Sequence, residues 1–469
     1  MRTWTVTMTN RTTRKNGRRL SSLLLFTLLT MSYPGQAQAE TSIQEQIDQA
    51  EPGDTVTVSE DVAEESVTID KPLTLQGDGV TMRNDAGETL LAVESEDVTI
   101  EGIRFVQEDT QIEESIVPGQ EYEAVESEPV VSITDSEGFT FTNNEVKMIG
   151  SGLYAEASDA FTVTNNEFNG TYSSYVNQGL AAVELYETNQ VTITGNDVEN
   201  ALDGFYLDSL QEAVIHENAV TDSRYAVHLM YSSQVEGHSN RFQDNVNGLM
   251  IMDSEEAEFF ENTLTDQFDV RGYGLLVYRS ENIHLHDNEI SRNSTGVKLE
   301  ETENVSIHDN VIAGNQVGLS WERQQADVNF YHNDMVSNVL STQGAFVEKL
   351  SLSHQAKGNY WSDYALIDKN GDGVGEAPYV AGSIYDAMLT DHPEWQLFMH
   401  SPSMTLWSQV SEWLPSQTGQ EVTDEQPRVD SDFERANEPL TSGTFAGVGG
   451  VLLLLSGAGM YYFQRRNSK

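Results

Sequence analysis

The chain has 469 residues, 75 Asp and Glu against 25 Lys and Arg, a formal charge of −50, 38% hydrophobic residues and no cysteine. The missing cysteine excludes disulfide scaffolds, thiol nucleophiles, iron–sulfur clusters and thiolate metal sites. The charge argues against nucleic acid as a partner, because phosphates are repelled, and the hydrophobic content argues against global disorder.

The charge is uneven. Residues 1–39 hold six basic groups and no acid, and Arg465, Arg466 and Lys469 close the chain without one. Residues 40–463 therefore hold 16 basic groups (25 less 9) and all 75 acids, a net −59. Such a surface suits high salt, where repulsion is screened. A halophilic source and an ordinary acidic exported protein share this composition.

In chain order, residues 1–39 read as a signal peptide. Basic residues up to Arg19 lead into the apolar run Leu20–Met31, then Pro34, Gly35 and Ala37-Gln38-Ala39, with cleavage expected before Glu40. Arg18-Arg19 fits a twin-arginine pattern poorly. Ile43, Ile47 and Ala50 predict a short capping helix over Ser42–Ala50, ahead of Pro52-Gly53-Asp54.

Residues 40–361 carry a repeat. The step Asn, any residue, apolar residue recurs with Asn at 144, 166, 196, 218, 240, 262, 288, 310, 333 and 359, at a modal spacing of 22. Short alternating runs such as Val191-Thr192-Ile193 fall within each period, which argues for half-buried strands. These features predict an all-β fold, a right-handed parallel β-helix with one coil per repeat and the Asn side chains stacked as an amide ladder. Residues 107–129, acidic and rich in turn formers, read as a loop between coils.

In one strand position the inward pairs are Val183/Leu185, Phe205/Leu207, Val227/Leu229, Leu249/Ile251, Leu275/Val277 and Val297/Leu299. Alternation then turns Glu184, Tyr186, Tyr206, Asp208, His228, Met230, Met250, Met252, Leu276, Tyr278, Lys298 and Glu300 outward. His228 and Met250 are 22 residues apart, as are Met230 and Met252, so the four occupy the corners of a rectangle on adjacent coils. Thioethers beside an imidazole are a soft donor set that selects Cu(I). An adaptable apolar docking surface is a second reading, and a core covered by a C-terminal segment a third. A further outward column holds His216, His238, His286 and His308, each two residues before a ladder Asn. A stacked pair there could bind a metal; a solvated ladder is the favoured reading.

Residues 362–416 read as a C-terminal cap. Asp368, Asn370, Asp372, Val374 and Glu376 follow the opening of a calcium loop, but Tyr379 stands where its closing Glu belongs, so calcium and a plain Asx-turn loop both remain. Trp395, Trp407 and Trp413 sit in a stretch of helical spacing and predict an amphipathic helix for a membrane or membrane partner. Residues 417–443 read as an acidic flexible linker, residues 444–463 as a transmembrane anchor, since Phe445–Phe463 lacks charge, and residues 464–469 as a cytoplasmic tail, with the body outside.

From about Thr41 to Pro415 the chain resembles the NosD family, exported β-helical maturation factors of nitrous-oxide reductase. The residues that carry the resemblance are Gln49–Val56, Ala226-Val-His-Leu-Met-Tyr-Ser232, Gly248-Leu-Met-Ile-Met252, Gly358-Asn-Tyr-Trp-Ser-Asp-Tyr364 and Leu397–Pro402. The resemblance implies an accessory protein rather than an enzyme. It implies docking on an ABC transporter (NosF ATPase, NosY permease), partnership with the copper chaperone NosL, and copper supplied to the copper–sulfide centre of apo nitrous-oxide reductase. It also implies that Trp395–Pro415 meets the permease, and it strengthens the Cu(I) reading of His228, Met230, Met250 and Met252. A carbohydrate-active β-helix enzyme is the alternative. It needs clustered outward carboxylates, whereas Glu184 and Asp208 are separated from Glu300 and Glu322 by the Met/His patch. A structural surface protein is the third possibility.

Overall fold

Alternation of apolar and polar residues shapes each coil into three short strands. In one coil these are Tyr225–Met230, Ser233–His238 and Arg241–Gln243, and their inward Val227, Leu229, Val235 and Phe242 are buried. The computed structural model describes residues 42–63, 66–84, 86–108, 127–170, 180–267, 269–270, 272–322, 326–344, 350–364, 368–381 and 422–431. First strands of successive coils, from Val67–Ile69 to Leu340–Gly344, form a twelve-stranded sheet, and the second and third strands belong to a 24-stranded one. Pairing between coils is parallel and in register, with Val227 opposite Phe205 on one side and Leu249 on the other. The six predicted inward pairs are all fully or almost fully buried. The helix Ile43–Gln49 closes the N-terminal end with Ile43 and Ile47 inward.

The asparagines form a continuous ladder. Asn240 shows the pattern: its Oδ1 accepts the backbone N–H of Asn218 at 3.1 Å and the Nδ2–H of Asn218 at 3.0 Å, while its own Nδ2 donates to Ile215 O at 2.8 Å. The residue before each rung from Asn144 to Asn333 turns in the left-handed region, at φ between +53° and +66°. Only Gly195 among them escapes the strain of about 1 kcal/mol that this region imposes on L-residues. Satisfied buried amide bonds, each contributing about 1 kcal/mol, offset it. A second ladder, absent from the sequence expectation, runs through Asn245, Gln267, Asn293, Asn315 and Asn338. A third uses the hydroxyls of Ser232, Ser254 and Ser280.

The first ladder ends on a carboxylate. Asp424, fully buried, accepts the Asn359 backbone N–H at 2.8 Å and the Trp361 indole N–H at 3.0 Å. Its strand, Val422–Asp424, pairs antiparallel with Tyr379–Ala381, and Arg428 and Ser431 bind Asp334. Residues 422–431, inside the stretch read as a linker, are thus tied to the last coils.

The helical part of the expected fold is corrected. Among the described residues Ile43–Gln49 is the one α-helix, and no helix is long and apolar enough to cross a membrane. The helices expected over Trp395–Pro415 and Phe445–Phe463 lie outside the described residues. The transmembrane anchor, the membrane as a partner and the anchored localisation are withdrawn. The expected signal peptide and most of the loop at 107–129 also lie outside the described residues.

Candidate metal centre

Parallel register brings the four expected ligands together. His228 stands opposite Met250 and Met230 opposite Met252, with Tyr206 and Asp208 on the preceding coil. His228 is held on three sides. Its Nδ1 lies 3.1 Å from Oδ2 of buried Asp203, and the rings of Tyr206 and Tyr225 meet it edge-on at 5.1 and 4.9 Å. Asp203 also takes both arms of the Arg224 guanidinium, at 3.0 and 2.9 Å, and that guanidinium lies 4.3 Å above the Tyr225 ring. Burial works to lower the Arg224 pKa, but hydrogen bonds and charge from Asp203 outweigh it and raise the pKa, so Asp203 faces a permanent cation.

A carboxylate on Nδ1 makes that nitrogen the N–H donor and leaves the Nε2 lone pair for a metal. The thioether of Met230 is fixed as well, accepting the Tyr206 hydroxyl at 3.6 Å. The donor set therefore fits a soft ion: one oriented imidazole nitrogen and three thioethers on one strand pair. Asp203 was missed in the sequence because it shares the inward parity of Phe205. It lies at the head of its strand, where the coil corner releases it toward the next coil.

The patch is less open than alternation suggests. The His228 side chain is 12% exposed and Met250 6%, while Leu276, Lys298 and Ser320 farther along the column are 7%, 9% and 6% exposed. Lys298 lies 5.3 Å over the Tyr273 ring and pairs with Glu322 at 2.8 Å. Toward the N-terminus the column continues as tyrosines 154, 186 and 206, with centroids 5.6 and 5.5 Å apart. Burial and then the hydrogen bond to Glu184 push the Tyr186 phenol pKa well up, which keeps it neutral.

The second histidine column is one ring stack. His216, His238, Phe260, His286, His308, Tyr331 and His354 follow at 4.9–5.2 Å, with interplanar angles from 2° to 29°. An ion in the plane of one such ring is out of plane for the next, so neighbouring rungs cannot share a metal. Among the described residues no three His, Asp or Glu side chains converge on a metal position. In the loop at 368–376, the Asp368 oxygens accept the N–H groups of Gly371 and Gly373, which lower its pKa. Asn370 accepts from Asp372, and Asp372 from Val374. Glu376 accepts weakly from Lys369, and Tyr379 donates to Asp363. These are the bonds of an Asx-turn loop.

The family model described as "Periplasmic copper-binding protein (NosD)" matches residues 171–366, the coils that contain this candidate site. Over this segment the chain is similar to the NosD family. A "Probable ABC transporter binding protein NosD" of Stutzerimonas stutzeri is 36% identical over 75 residues, 16% of this chain and 17% of the relative. The NosD of the same description from Pseudomonas aeruginosa is 33% identical over 75 residues, 16% and 18% of the two chains. The match thus spans about a sixth of the length of these curated NosD relatives. Both are named as binding proteins rather than enzymes, in line with the expectation of an accessory protein. Solved structures similar to the chain include the A-module of a mannuronan C-5 epimerase from Azotobacter vinelandii, at 12% identity and TM-score 0.36 over 68% of this chain and 86% of that one. A lacto-N-biosidase from Eubacterium ramulus has 11% identity and TM-score 0.41 over 64% and 62%.

Proposed function

We propose that this NosD-family protein is an exported accessory factor that handles Cu(I) as cargo for nitrous-oxide reductase. It takes the ion at His228, Met230, Met250 and Met252. It works with an ABC transporter (NosF, NosY) and the chaperone NosL to supply the reductase's copper–sulfide centre. The observation that carries the reading is the Asp203 clamp on His228, which reserves Nε2 beside three thioethers. The family description, which names copper and the periplasm, supports the cargo and compartment. The relatives' names support the transporter as partner.

The test is competition between the full chain and a Cu(I) chelator. The wild type is expected to retain copper, and His228→Ala combined with Met230→Leu, Met250→Leu and Met252→Leu to lose it. Equal retention by both proteins overturns the site. A strain lacking the protein is expected to make nitrous-oxide reductase without its copper–sulfide centre; a normal centre there overturns the function.

A further inference from the structure

One cleft near the N-terminal end of the solenoid gathers basic residues that the rest of the surface lacks, with Asp61 and Glu108 also in its lining. Between Lys71 and Arg224 the sequence contains thirty acidic residues and only three basic ones, Arg83, Arg104 and Lys147. All three line one cleft of about 340 Å³. Register explains the convergence. Arg83, Val106 and Lys147 are opposite one another on three successive coils, and Arg104 is two residues before Val106 on the middle one. Met82, Phe105 and Val146, between these positions, point into the core, so the three cations share the outward face. Val106 is also outward yet only 8% exposed, and forms an apolar floor beneath them.

Arg104 and Lys147 are engaged by carboxylates in pairs that an incoming anion can replace, and Arg83 adds its charge beside Glu108. Arg104 meets Glu145 at 2.9 Å and Lys147 meets Glu108 at 2.9 Å, with side chains 33–47% exposed. Ion pairs at such exposure are weak. Two guanidinium forks and an ammonium on one concave surface match phosphate or carboxylate oxygens, the forks by paired N–H donors and the ammonium as a point charge. The net charge of −50 repels every anion, but a bilayer or polymer presenting many charges more strongly than one small molecule, so a free ligand fits better than a lipid headgroup. We propose that the cleft formed by Arg83, Arg104 and Lys147 binds a small free oxyanion bearing phosphate or carboxylate groups.

Calorimetric titration of the full chain with inorganic phosphate at low salt tests this. Saturable binding at one site is expected, weakened roughly tenfold or more when Arg83→Gln and Lys147→Gln are combined. Glu108→Gln removes one of the competing carboxylates and is expected to tighten binding several-fold, an outcome that loss of folding cannot imitate. His228→Ala is expected to leave phosphate affinity unchanged, which separates this site from the copper centre. The proposal is overturned by equal affinity in wild type and the double variant, or by a Glu108→Gln variant that binds no tighter. Binding to phosphatidylserine vesicles without binding to free phosphate overturns the choice of a free ligand.

Discussion

His228 and His238 lie on the same coil, both on outward faces, and each has a partner column spaced by the same repeat. Their surroundings are unlike. His228 stands edge-on to Tyr206 and Tyr225, at 89° and 77°, with one nitrogen clamped by Asp203 and the other left as a donor. His238 is sandwiched nearly parallel between His216 and Phe260, at 14° and 18°. Farther along that stack His286 has both nitrogens on carboxylates, Asp287 at 2.8 Å and Glu258 at 2.9 Å. Identical side chains in one repeat thus divide into a candidate ligand and a member of a ring stack. Ring orientation and the engagement of the second nitrogen decide between these roles, and sequence spacing does not.

The contrast can be broken first at Asp203. Asp203→Asn removes the charge that holds the His228 tautomer and is expected to weaken Cu(I) retention about 10–100-fold and to change its pH profile. Glu258→Gln, the corresponding change beside His286, is expected to leave retention as in the wild type. Comparable losses in both variants would mean that the ring stack also binds copper. A smaller effect is expected from Phe260→Leu, which interrupts the stack between His238 and His286. Chemical denaturation should show a loss of about 0.5–1.5 kcal/mol with copper retention intact.

The smallest effect is on the pH dependence of stability. Burial works to lower the His286 pKa, but hydrogen bonds to Asp287 and then Glu258 outweigh it, so the folded value lies above 6.5. A raised folded pKa adds stability that is complete below 6.5 and lost as pH rises through the folded value. The Tm gap between wild type and His286→Gln should accordingly be widest below pH 6.5 and close in alkali. A gap that widens with pH would contradict the carboxylate pairing.

Much of this was legible because a solenoid repeats its geometry. Ten asparagines at nearly constant spacing predicted the amide ladder, and the inward pairs predicted the core. That His228 and Met230 stand opposite Met250 and Met252 on adjacent coils was legible by counting 22 along the chain. The second ladder at Asn245, Asn293 and Asn315 carries the same spacings five residues downstream and was readable by the same count. Asp203 was not, because parity fails at a coil corner. Nor was the closure of the column from Met250 onward, since alternation gives a direction and leaves open what lies over the side chain.

The first number, −50, also divides between the two levels. Composition alone determined that the surface is acidic and that Met and His are the only soft or borderline donors, because these are counts. Alternation and period determined which residues face outward and which share a column, because strand geometry is local. Only the tertiary structure decided that Asp203 and Arg224 orient His228, that Arg83, Arg104 and Lys147 meet in one cleft, and that Asp424 ends a ladder whose last Asn lies 65 residues earlier. Each of these depends on which groups neighbouring coils or returning segments bring within about 3 Å, a distance that no local pattern encodes.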